Sequence, residues 1–381
     1  MKVIIAPDSF KESLDSTRAA EAIAAGWRSV RPNDELVEVP VADGGEGTAA
    51  AFKEAVGGTW IRDEAVGPMG EEIDTFWLLL PDGETAVIDV AAASGLDKLR
   101  PMLRNPLYTT TFGTGQLILS ALDEGCTRIV IGLGGSATVD GGAGLFQALG
   151  GSLQDAEGEE LPFGGAALVD LALIDASELD PRLQSVELVA ACDVTNPLLG
   201  PEGAARIFGP QKGADAAGVE ELEKSLRHFA DVLREQLQVD VAELAGAGAA
   251  GGLGAGLLAF CDAELVPGAE LVLEAADFRG KIADADLIIT GEGRLDSQSQ
   301  AGKILSALAE AAQAAGVPVV ALVGSVDPAF SSESLERMGV EAIFPIGNEP
   351  QSLESSLQHT AQDLERTAAM LARVVTLRLG S

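Results

Sequence analysis

The sequence predicts an α/β fold in which parallel strands are connected by crossover helices. Short β-branched runs alternate with alanine-rich stretches along most of the chain, which is typical of strands and helices in alternation. Several strand candidates are almost entirely apolar, as expected for strands that are covered on both faces of a sheet. With 381 residues, of which 47% are hydrophobic, the chain is long enough for two domains that each bury a core.

The predicted elements alternate from the first residues to the last helix. Each predicted strand is a short, mostly apolar run, and each predicted helix carries apolar residues at helical spacing. The predicted strands are Val3 to Ala6, Leu36 to Val41, Arg128 to Leu133, Val186 to Ala191, Leu287 to Thr290, Val317 to Val323 and Ala342 to Ile346. The predicted helices are Ser16 to Val30, Glu46 to Val56, Gly115 to Glu124, Gly142 to Leu149, Gly218 to Leu237, Gly302 to Ala315 and Ser352 to Leu377.

Glycine-rich loops are concentrated in the middle of the chain, between about Ala91 and Ala276. The first ninety residues and the last hundred carry few glycines inside their elements and are similar to each other in composition. We therefore predict a discontinuous domain formed by residues 1–90 and 277–381. A second α/β domain, residues 91–276, is predicted to be inserted between its two halves.

Charge and cysteine content exclude several classes of function. The 25 basic and 59 acidic residues give a net charge of −34, which argues against nucleic acid or an anionic membrane as a partner. The three cysteines have no paired spacing, which favours a reduced, cytoplasmic setting without a zinc site.

Residues 244–261 have nearly the length of a membrane span, but their six glycines indicate a turn that leads into a helix. No charged and then apolar leader begins the chain, so no targeting segment is expected.

The strongest motif is an apolar strand that breaks into a glycine-rich turn, residues 133–142. Glycine lets the backbone approach a ligand closely, and successive N–H groups beside a helix N-terminus form a nest for an anion. Hydroxyl groups add donors, and Asp140 could hold magnesium through oxygen. Tight packing of strand on helix is the alternative role of these glycines. The predicted phosphate-binding residues are Gly132, Gly134, Gly135, Ser136 and Thr138.

A second glycine-rich turn, residues 246–256, leads into the apolar run that ends at Cys261. The run of small residues predicts a similar cradle for phosphate, with Gly251 and Gly252 as binding residues. Close packing of two helices is the alternative explanation for such a run.

Polar residues follow several strands directly, at the end where open α/β sheets bind ligands. Asp193 comes two residues after the strand that ends at Ala191, which suits a general base or a metal ligand. A turn closed by Asp193 before Pro197 is an equal alternative, and helix capping is an alternative for each of the other turns. The other strand-end residues are Asp8, Ser9 and Lys11 after the first strand, Asp43 and Glu46 after the second, and Glu292, Arg294 and Asp296 after the strand Leu287 to Thr290.

The glycine-rich turns and the charged residues at strand ends favour phosphoryl transfer. This reaction requires charge neutralisation and a positioned acceptor but little covalent chemistry from the protein. An NAD(P)-dependent oxidoreductase of a small hydroxy acid is the alternative. Residues 132–137 fit the Gly-x-Gly-x-x-Ala dinucleotide fingerprint, and Asp155 follows at about the expected distance of roughly twenty residues. No strand is predicted before Asp155 and no proton shuttle is evident, so the oxidoreductase is the weaker hypothesis.

Eight motifs occur in order between Ala6 and Asp296, and the match spans nearly the whole chain, from Met1 to about Gly347. They are Ala6-Pro-Asp-Ser-Phe-Lys-Glu-Ser, Ala42-Asp-Gly-Gly-Glu-Gly-Thr, Phe112-Gly-Thr-Gly-Gln, Gly132-Leu-Gly-Gly-Ser-Ala-Thr, Cys192-Asp-Val-Thr-Asn-Pro-Leu, Phe208-Gly-Pro-Gln-Lys-Gly, Gly248-Ala-Ala-Gly-Gly-Leu-Gly and Gly291-Glu-Gly-Arg-Leu-Asp. In this order they strongly resemble the bacterial type I glycerate kinases. The resemblance implies that ATP, with Mg²⁺, phosphorylates D-glycerate to a phosphoglycerate, and it favours 2-phosphoglycerate. It also implies a discontinuous, flavodoxin-like (Rossmann-type) three-layer domain, an inserted α/β domain and an active site in the cleft between them.

Expected roles follow for individual residues. We expect Asp193 to take the proton of the glycerate hydroxyl or to hold magnesium, and Asp43 is a second candidate for either role. Lys11 and Arg294 are expected to neutralise the substrate carboxylate and the transferring phosphoryl group. Val139 stands where we expect Asn in this family, so a nucleotide contact through that side chain would be absent here. The expected substrate-binding residues are Asp8, Ser9, Lys11 and Arg294.

Overall fold

The computed structural model describes residues 1–10, 13–39, 41, 47–295, 303–327, 335–336, 338–348 and 352–377. The chain divides into two compact units, and the sheets of both are flanked by helices, so the α/β prediction is confirmed. The first unit comprises Met1–Asp43, Glu54–Val56 and Ala269–Ser381, and the second comprises Gly44–Lys53 and Gly57–Gly268. Within the described ranges, no helix combines the length and the apolar character that a membrane span needs.

The elements are numbered in chain order. The strands are β1 (Lys2–Pro7), β2 (Glu35–Glu38), β3 (Thr59–Val66), β4 (Glu72–Leu79), β5 (Thr85–Asp89), β6 (Arg128–Gly132), β7 (Ser152–Gln154), β8 (Leu173–Asp175), β9 (Glu187–Ala191), β10 (Glu264–Val266), β11 (Leu287–Leu295), β12 (Val319–Val326) and β13 (Ala342–Pro345). The α-helices are α1 (Ser16–Val30), α2 (Thr48–Val56), α3 (Val90–Ser94), α4 (Phe112–Asp123), α5 (Ala143–Ala148), α6 (Ala204–Phe208), α7 (Ala216–Gln236), α8 (Ala249–Cys261), α9 (Gly268–Ala275), α10 (Phe278–Ile282), α11 (Lys303–Ala315) and α12 (Leu353–Thr376).

The first unit is built on a parallel sheet of five strands in the order β13-β12-β11-β1-β2. Successive side chains of a strand point to opposite faces, so alternate residues of β1 enter different cores. Ile4 and Ala6 pack in the core that contains residues of α11, whereas Val3 and Ile5 pack in the core that contains residues of α1 and α12. Helices therefore cover both faces of this sheet.

The second unit contains a sheet of six strands in the order β10-β9-β6-β5-β4-β3. The four strands from β10 to β5 are parallel, and β4 and β3 extend the sheet as an antiparallel hairpin. Strands β7 and β8 form a separate antiparallel pair. One core packs helices α4, α5 and α8 against the large sheet, and a second core joins α5, α7 and α8.

The division of the chain differs from the predicted boundary at residue 90. Composition places residues 57–90 in the first domain, because this stretch has few glycines inside its elements. In the structure they belong to the second unit, because β5 pairs with β6 and carries β4 and β3 with it. The pairing of these strands by hydrogen bonds determines the unit to which they belong, and this pairing cannot be inferred from local composition.

The predicted strands and helices are all present, α1 with its predicted ends and the others with shifted ends, and the largest shift is in β11. This strand continues to Leu295 instead of ending at Thr290. Short strands and the β3–β4 hairpin are absent from the prediction. β3 has both exposed and half-buried residues along its length, so it lacks the apolar run that marks a central strand.

The parallel strands of the second unit end together. Asp89 of β5 is opposite Gly132 of β6, which is opposite Ala191 of β9, and Ala191 is in turn opposite Val266 of β10. The loops that follow these four residues therefore emerge side by side at the carboxyl edge of the sheet, where ligands bind in open α/β sheets.

Candidate active site

Gly134 and Gly135 form the open part of the glycine-rich turn, directly after β6, and both are exposed. A Cβ on Gly134 would meet no atom within 4 Å, and Gly135 has a φ of +71°. Neither backbone N–H donates a hydrogen bond to another described residue. The turn therefore exposes two N–H groups, and no side chain of these two residues keeps an anion away from them.

Lys212 is the cation of this turn, and its side chain is buried with 3% exposure. Its Nζ donates to Ser136 Oγ over 2.7 Å and to the Thr138 carbonyl oxygen over 2.8 Å. Burial lowers the pKa of Lys212 to about 7, while the charge of Asp140 acts to raise it. Lys212 is absent from the residues predicted for the site, although its motif, residues 208–213, was one of the eight that carry the resemblance.

Asp140 fixes the start of two helices and is fully buried. Its carboxylate accepts from the N–H and Oγ1 of Thr111 over 2.8 and 2.9 Å, and from the N–H groups of Gly142 and Gly144 over 3.2 and 3.3 Å. Burial raises the pKa of Asp140, and these four hydrogen bonds oppose the shift. The structure does not support the expected magnesium ligand here, because both oxygens are engaged inside the protein.

Three of the predicted phosphate-binding residues are buried. A Cβ on Gly132 would lie 2.3 Å from Thr48 Oγ1 and 2.6 Å from Asp89 Oδ1, so this glycine serves close packing. The Thr138 side chain is 0% exposed, and its hydroxyl does not reach the surface. Ser136 is 5% exposed and lies next to the open Gly135. The open surface of the turn is thus smaller than the motif predicts.

Gly251 and Gly252 lie against the turn and not in an open cradle. Both have positive φ, at a kink within α8. A Cβ on Gly251 would lie 1.9 Å from the Thr138 carbonyl oxygen, and a Cβ on Gly252 would lie 3.0 Å from the Gly141 Cα. The Gly251 carbonyl also accepts from the Gly141 N–H over 3.2 Å. The structure gives these glycines the packing role that was the alternative, because backbone occupies the space that a phosphate would need.

Two carboxylates lie at the carboxyl ends of the strands that flank β6, one on β5 and one just after β9. Asp193 follows β9 and is half-buried, and its Oδ1 accepts from the Gly268 N–H over 3.0 Å. Asp89 ends β5 and accepts from the Ala49 N–H, near the start of α2, over 3.3 Å. Burial raises the pKa of Asp89, and bonds from backbone N–H groups oppose the shift. Asp89 was not predicted as a site residue. The sequence pattern that could have indicated it is an apolar run, residues 86–88, followed directly by this acidic residue.

The first unit also places acidic residues at the carboxyl edge of its sheet. The Asp8 N–H donates to the Gly291 carbonyl over 2.8 Å, which continues the pairing of β1 with β11. Asp8 and Glu292 are buried, at 8% and 6% exposure. The Ser9 N–H donates to Asp8 Oδ1 over 2.6 Å. Asp8 and Ser9 therefore form one local turn at the end of β1.

Arg294 lies on the extended part of β11 and not in a turn as predicted. Its side chain is 66% exposed, and Nη2 lies 3.4 Å from Asp327 Oδ2. An exposed ion pair of this kind contributes little to stability, so the guanidinium can exchange this partner for a ligand carboxylate. Lys11 and Asp43, which were predicted as catalytic residues, lie outside the described residues, as do Glu46 and Asp296.

Two features separate the turn from a dinucleotide site. A short strand, β7, does precede Asp155, but it belongs to the small β7–β8 sheet and does not pair with β6. Asp155 accepts from the N–H groups of Glu157 and Glu159 and closes a local turn. The acidic residue of the fingerprint is therefore not on a strand next to the glycine-rich turn, as a dinucleotide fold requires.

Val139 does not face the open side of the turn. The side chain is 0% exposed and packs in the core that contains Leu222 and Phe229. The expectation that a nucleotide contact is lost at this position is therefore not supported, because the Val139 side chain points into an apolar core.

The residues present fit a nucleotide phosphate and its magnesium ion. Exposed N–H groups at Gly134 and Gly135 and the buried ammonium of Lys212 supply positive potential for phosphate. Asp89 and Asp193 supply carboxylate oxygens, the type of ligand that Mg²⁺ prefers. Among the described residues, no group of three or more His, Cys, Asp or Glu side chains forms a ready-made metal site. Such a set suits a magnesium ion that is bound partly by substrate phosphates.

Comparisons with known proteins identify the family of the chain. The model of the glycerate kinase family matches residues 3–376. The chain is 50% identical to a glycerate kinase of Bacillus subtilis (strain 168), over 99% of this chain and 98% of that protein. It is 47% identical to a glycerate 2-kinase of Escherichia coli (strain K12), over 100% and 99% of the two chains. A crystal structure described as glycerate kinase 2 from Salmonella typhimurium LT2 has a TM-score of 0.89 and 45% identity, over 99% and 98% of the chains. The chain therefore belongs to the glycerate kinase family.

Proposed function

We propose that this protein transfers the γ-phosphoryl group of ATP to D-glycerate in the presence of Mg²⁺ and releases 2-phosphoglycerate. The relatives with the names glycerate kinase and glycerate 2-kinase align over nearly the whole chain. The observation that carries the proposal is the exposed pair of N–H groups at Gly134 and Gly135. The pair follows β6, which is flanked by β5, ending in Asp89, and by β9, which Asp193 follows by two residues.

The proposed reaction is an in-line displacement at phosphorus. The 2-hydroxyl oxygen of glycerate forms a bond to the γ-phosphorus, the bond from that phosphorus to the β,γ-bridging oxygen breaks, and ADP leaves. Asp193 accepts the hydroxyl proton as general base. The turn at Gly134 and Gly135 holds phosphate oxygens, and magnesium would be held by Asp193, Asp89 or Asp43 together with the phosphates.

Binding of glycerate requires recognition of its carboxylate. Arg294 offers a planar guanidinium that can form two parallel hydrogen bonds to a carboxylate, and its exposed ion pair with Asp327 is easily exchanged. Asp8 and Ser9 at the end of β1 are proposed to bind the glycerate hydroxyls, and Lys11 is proposed to neutralise the transferring phosphoryl group. The location of the site between the two units stays a prediction.

The experiment that tests this function is an assay of ADP formation by the purified protein. With ATP, Mg²⁺ and D-glycerate, ADP should form at a rate that depends on D-glycerate and is abolished by EDTA, and phosphorus NMR should identify 2-phosphoglycerate. No ADP above the acceptor-free background would contradict the proposal. Reduction of NAD⁺ or NADP⁺ by D-glycerate, read by absorbance, would support the oxidoreductase instead.

A further inference from the structure

Lys212 is buried without a carboxylate partner. No Asp or Glu oxygen lies within the 4.0 Å ion-pair limit of its Nζ among the residues that the structure describes, although the chain carries 59 acidic residues. Asp140, whose charge acts on Lys212, has both oxygens engaged with backbone N–H groups and Thr111. A buried ammonium without an anion is costly, and such groups cluster at functional sites.

The two hydrogen bonds of Lys212 determine what Ser136 can do. An ammonium group has three donors and no acceptor, so Ser136 Oγ must accept from Nζ. The Ser136 O–H is then left as a donor, and the Thr138 carbonyl takes a second Nζ hydrogen. A neutral amine has a lone pair, to which the Ser136 O–H could donate instead. The protonation of Lys212 therefore decides whether the Ser136 hydroxyl is available to a ligand.

We propose that Lys212 is a positioning residue for nucleotide phosphate. Its ammonium fixes Ser136 as a hydrogen-bond donor beside the N–H groups of Gly134 and Gly135, and the phosphate supplies the anion that Lys212 lacks. This inference rests on the proposed function and adds a residue that acts through Ser136 and through charge.

Binding of the anion is linked to proton uptake at Lys212. The pKa of about 7 in the free protein results from burial, and a phosphate near the turn favours the charged form and raises it. At pH 8 the free protein holds Lys212 mostly neutral, so nucleotide binding takes up a fraction of a proton. The charged groups of the packed elements are Asp140 in the turn, Arg104, whose carbonyl lies against Gly213, and Asp215 at the start of α7. Of these, the negative charge of Asp140 favours the protonated form of Lys212 and acts to raise its pKa.

Calorimetric titration with ADP tests the proposal on the whole protein. At pH 8, in two buffers of different ionisation enthalpy, the unaltered protein should take up a fraction of a proton for each ADP bound. Lys212→Met should abolish this uptake and weaken ADP binding by about 10- to 100-fold, the range for a hydrogen bond to a charged group. Ser136→Ala should weaken binding by about 10-fold but keep the proton uptake. The double variant should bind no more weakly than Lys212→Met alone.

Steady-state kinetics supply the second readout. KM for ATP should rise in both variants, while KM for D-glycerate stays unchanged, a separation that general unfolding would not produce. Lys224→Met removes an exposed lysine on α7 and should change neither ADP binding nor the proton uptake. If Lys212→Met does not fold, measurements on Ser136→Ala and on the unaltered protein still test the proposal. Ser136→Ala should raise KM for ATP, and the ADP affinity of the unaltered protein should fall from pH 6 to pH 9.

The outcomes separate this inference from the proposed function. Unchanged ADP affinity and unchanged proton uptake in a folded Lys212→Met variant overturn the inference and leave the glycerate kinase proposal intact. For a variant that does not fold, a pH-independent ADP affinity in the unaltered protein overturns it as well. An unaltered protein that forms no ADP with D-glycerate and binds no ADP overturns both.

Discussion

At the scale of single residues, Asp193 carries the proposed chemistry. It follows β9 at the same sheet edge as the glycine-rich turn, and it is half-buried. Asp193→Asn keeps the shape of the side chain but removes the basic oxygen. We expect kcat to fall by roughly 100-fold or more, the scale for loss of a general base, with an unchanged Tm. Coupled assays of ADP formation and a thermal melt measure both.

A matched control for this change is Asp155→Asn, which alters an acid in the separate β7–β8 region. Its kcat should stay within about twofold of the unaltered protein, because surface changes away from a site have small effects. Near-normal turnover in Asp193→Asn would remove Asp193 from the role of base and leave Asp43 as the candidate.

Asp140 has a different role, and its replacement should affect stability first. Its carboxylate accepts four hydrogen bonds in a fully buried place. In Asp140→Asn, an NH₂ group replaces one acceptor oxygen and faces N–H or O–H donors. We expect a loss of about 2 kcal/mol or more in the free energy of unfolding, the cost of unsatisfied buried groups. Urea titration measures it, and an unchanged stability with weaker magnesium dependence would show that Asp140 is a metal ligand after all.

The buried lysine also links stability to pH. The pKa of Lys212 is about 7 in the folded protein but about 10.4 in an unfolded chain, so between these values the unfolded state binds more protons. The contribution of Lys212 to the free energy of unfolding therefore rises with pH through this window. Relative to Lys212→Met, the unaltered protein should gain stability from pH 7 to pH 9 in urea titrations. A difference that stays constant or shrinks would show that the pKa is not lowered.

At the scale of elements, the kink of α8 supports the glycine-rich turn. Gly251 has a φ of +72°, and a Cβ there would lie 1.9 Å from the Thr138 carbonyl oxygen. Gly251→Ala should cost about 2 to 4 kcal/mol of unfolding free energy, from positive-φ strain and overpacking. Gly134→Ala, at a position with open space around it, should leave the stability nearly unchanged. Equal stabilities of the two variants in urea titrations would contradict the packing role of Gly251.

The same elements show what the sequence can and cannot predict. Helix α1 was predicted with its observed ends, because Asp15 caps it and apolar residues recur at helical spacing. The central strands β1, β6 and β9 were predicted because they are nearly all apolar. The β3–β4 hairpin was missed, because a sheet edge carries exposed residues and its partner strand is set by hydrogen bonding between segments.

At the scale of the whole molecule, the net charge of −34 dominates the electrostatics. Repulsion between like charges destabilises a compact state, and salt screens it over about 10 Å at 0.1 M. We therefore expect Tm to rise by a few degrees between 50 mM and 500 mM NaCl. Differential scanning calorimetry measures this shift. A Tm that stays constant or falls would show that local ion pairs outweigh the overall repulsion.

The sequence predicted that the glycine-rich turn and Asp193 follow strand ends, and the structure has both there. Their roles stay a prediction, and the burial of individual residues was not predicted. Sequence could not separate the open Gly134 from the packed Gly251, since both are glycines in small-residue runs and only the backbone around them differs. Lys212 was not among the predicted site residues, because the sequence does not show its burial against residues more than seventy positions away.

The central claim is that the open turn at Gly134 binds the phosphates of ATP, and a side chain at this position tests it most directly. Gly134 and Gly347 both have open space and no positive φ, so Val at either position should fold normally. We predict that Gly134→Val raises KM for ATP by about 10-fold or more, the change for about 1.4 kcal/mol, with KM for D-glycerate and Tm unchanged. Gly347→Val should leave both KM values unchanged. An unchanged KM for ATP in a folded Gly134→Val variant would contradict the claim.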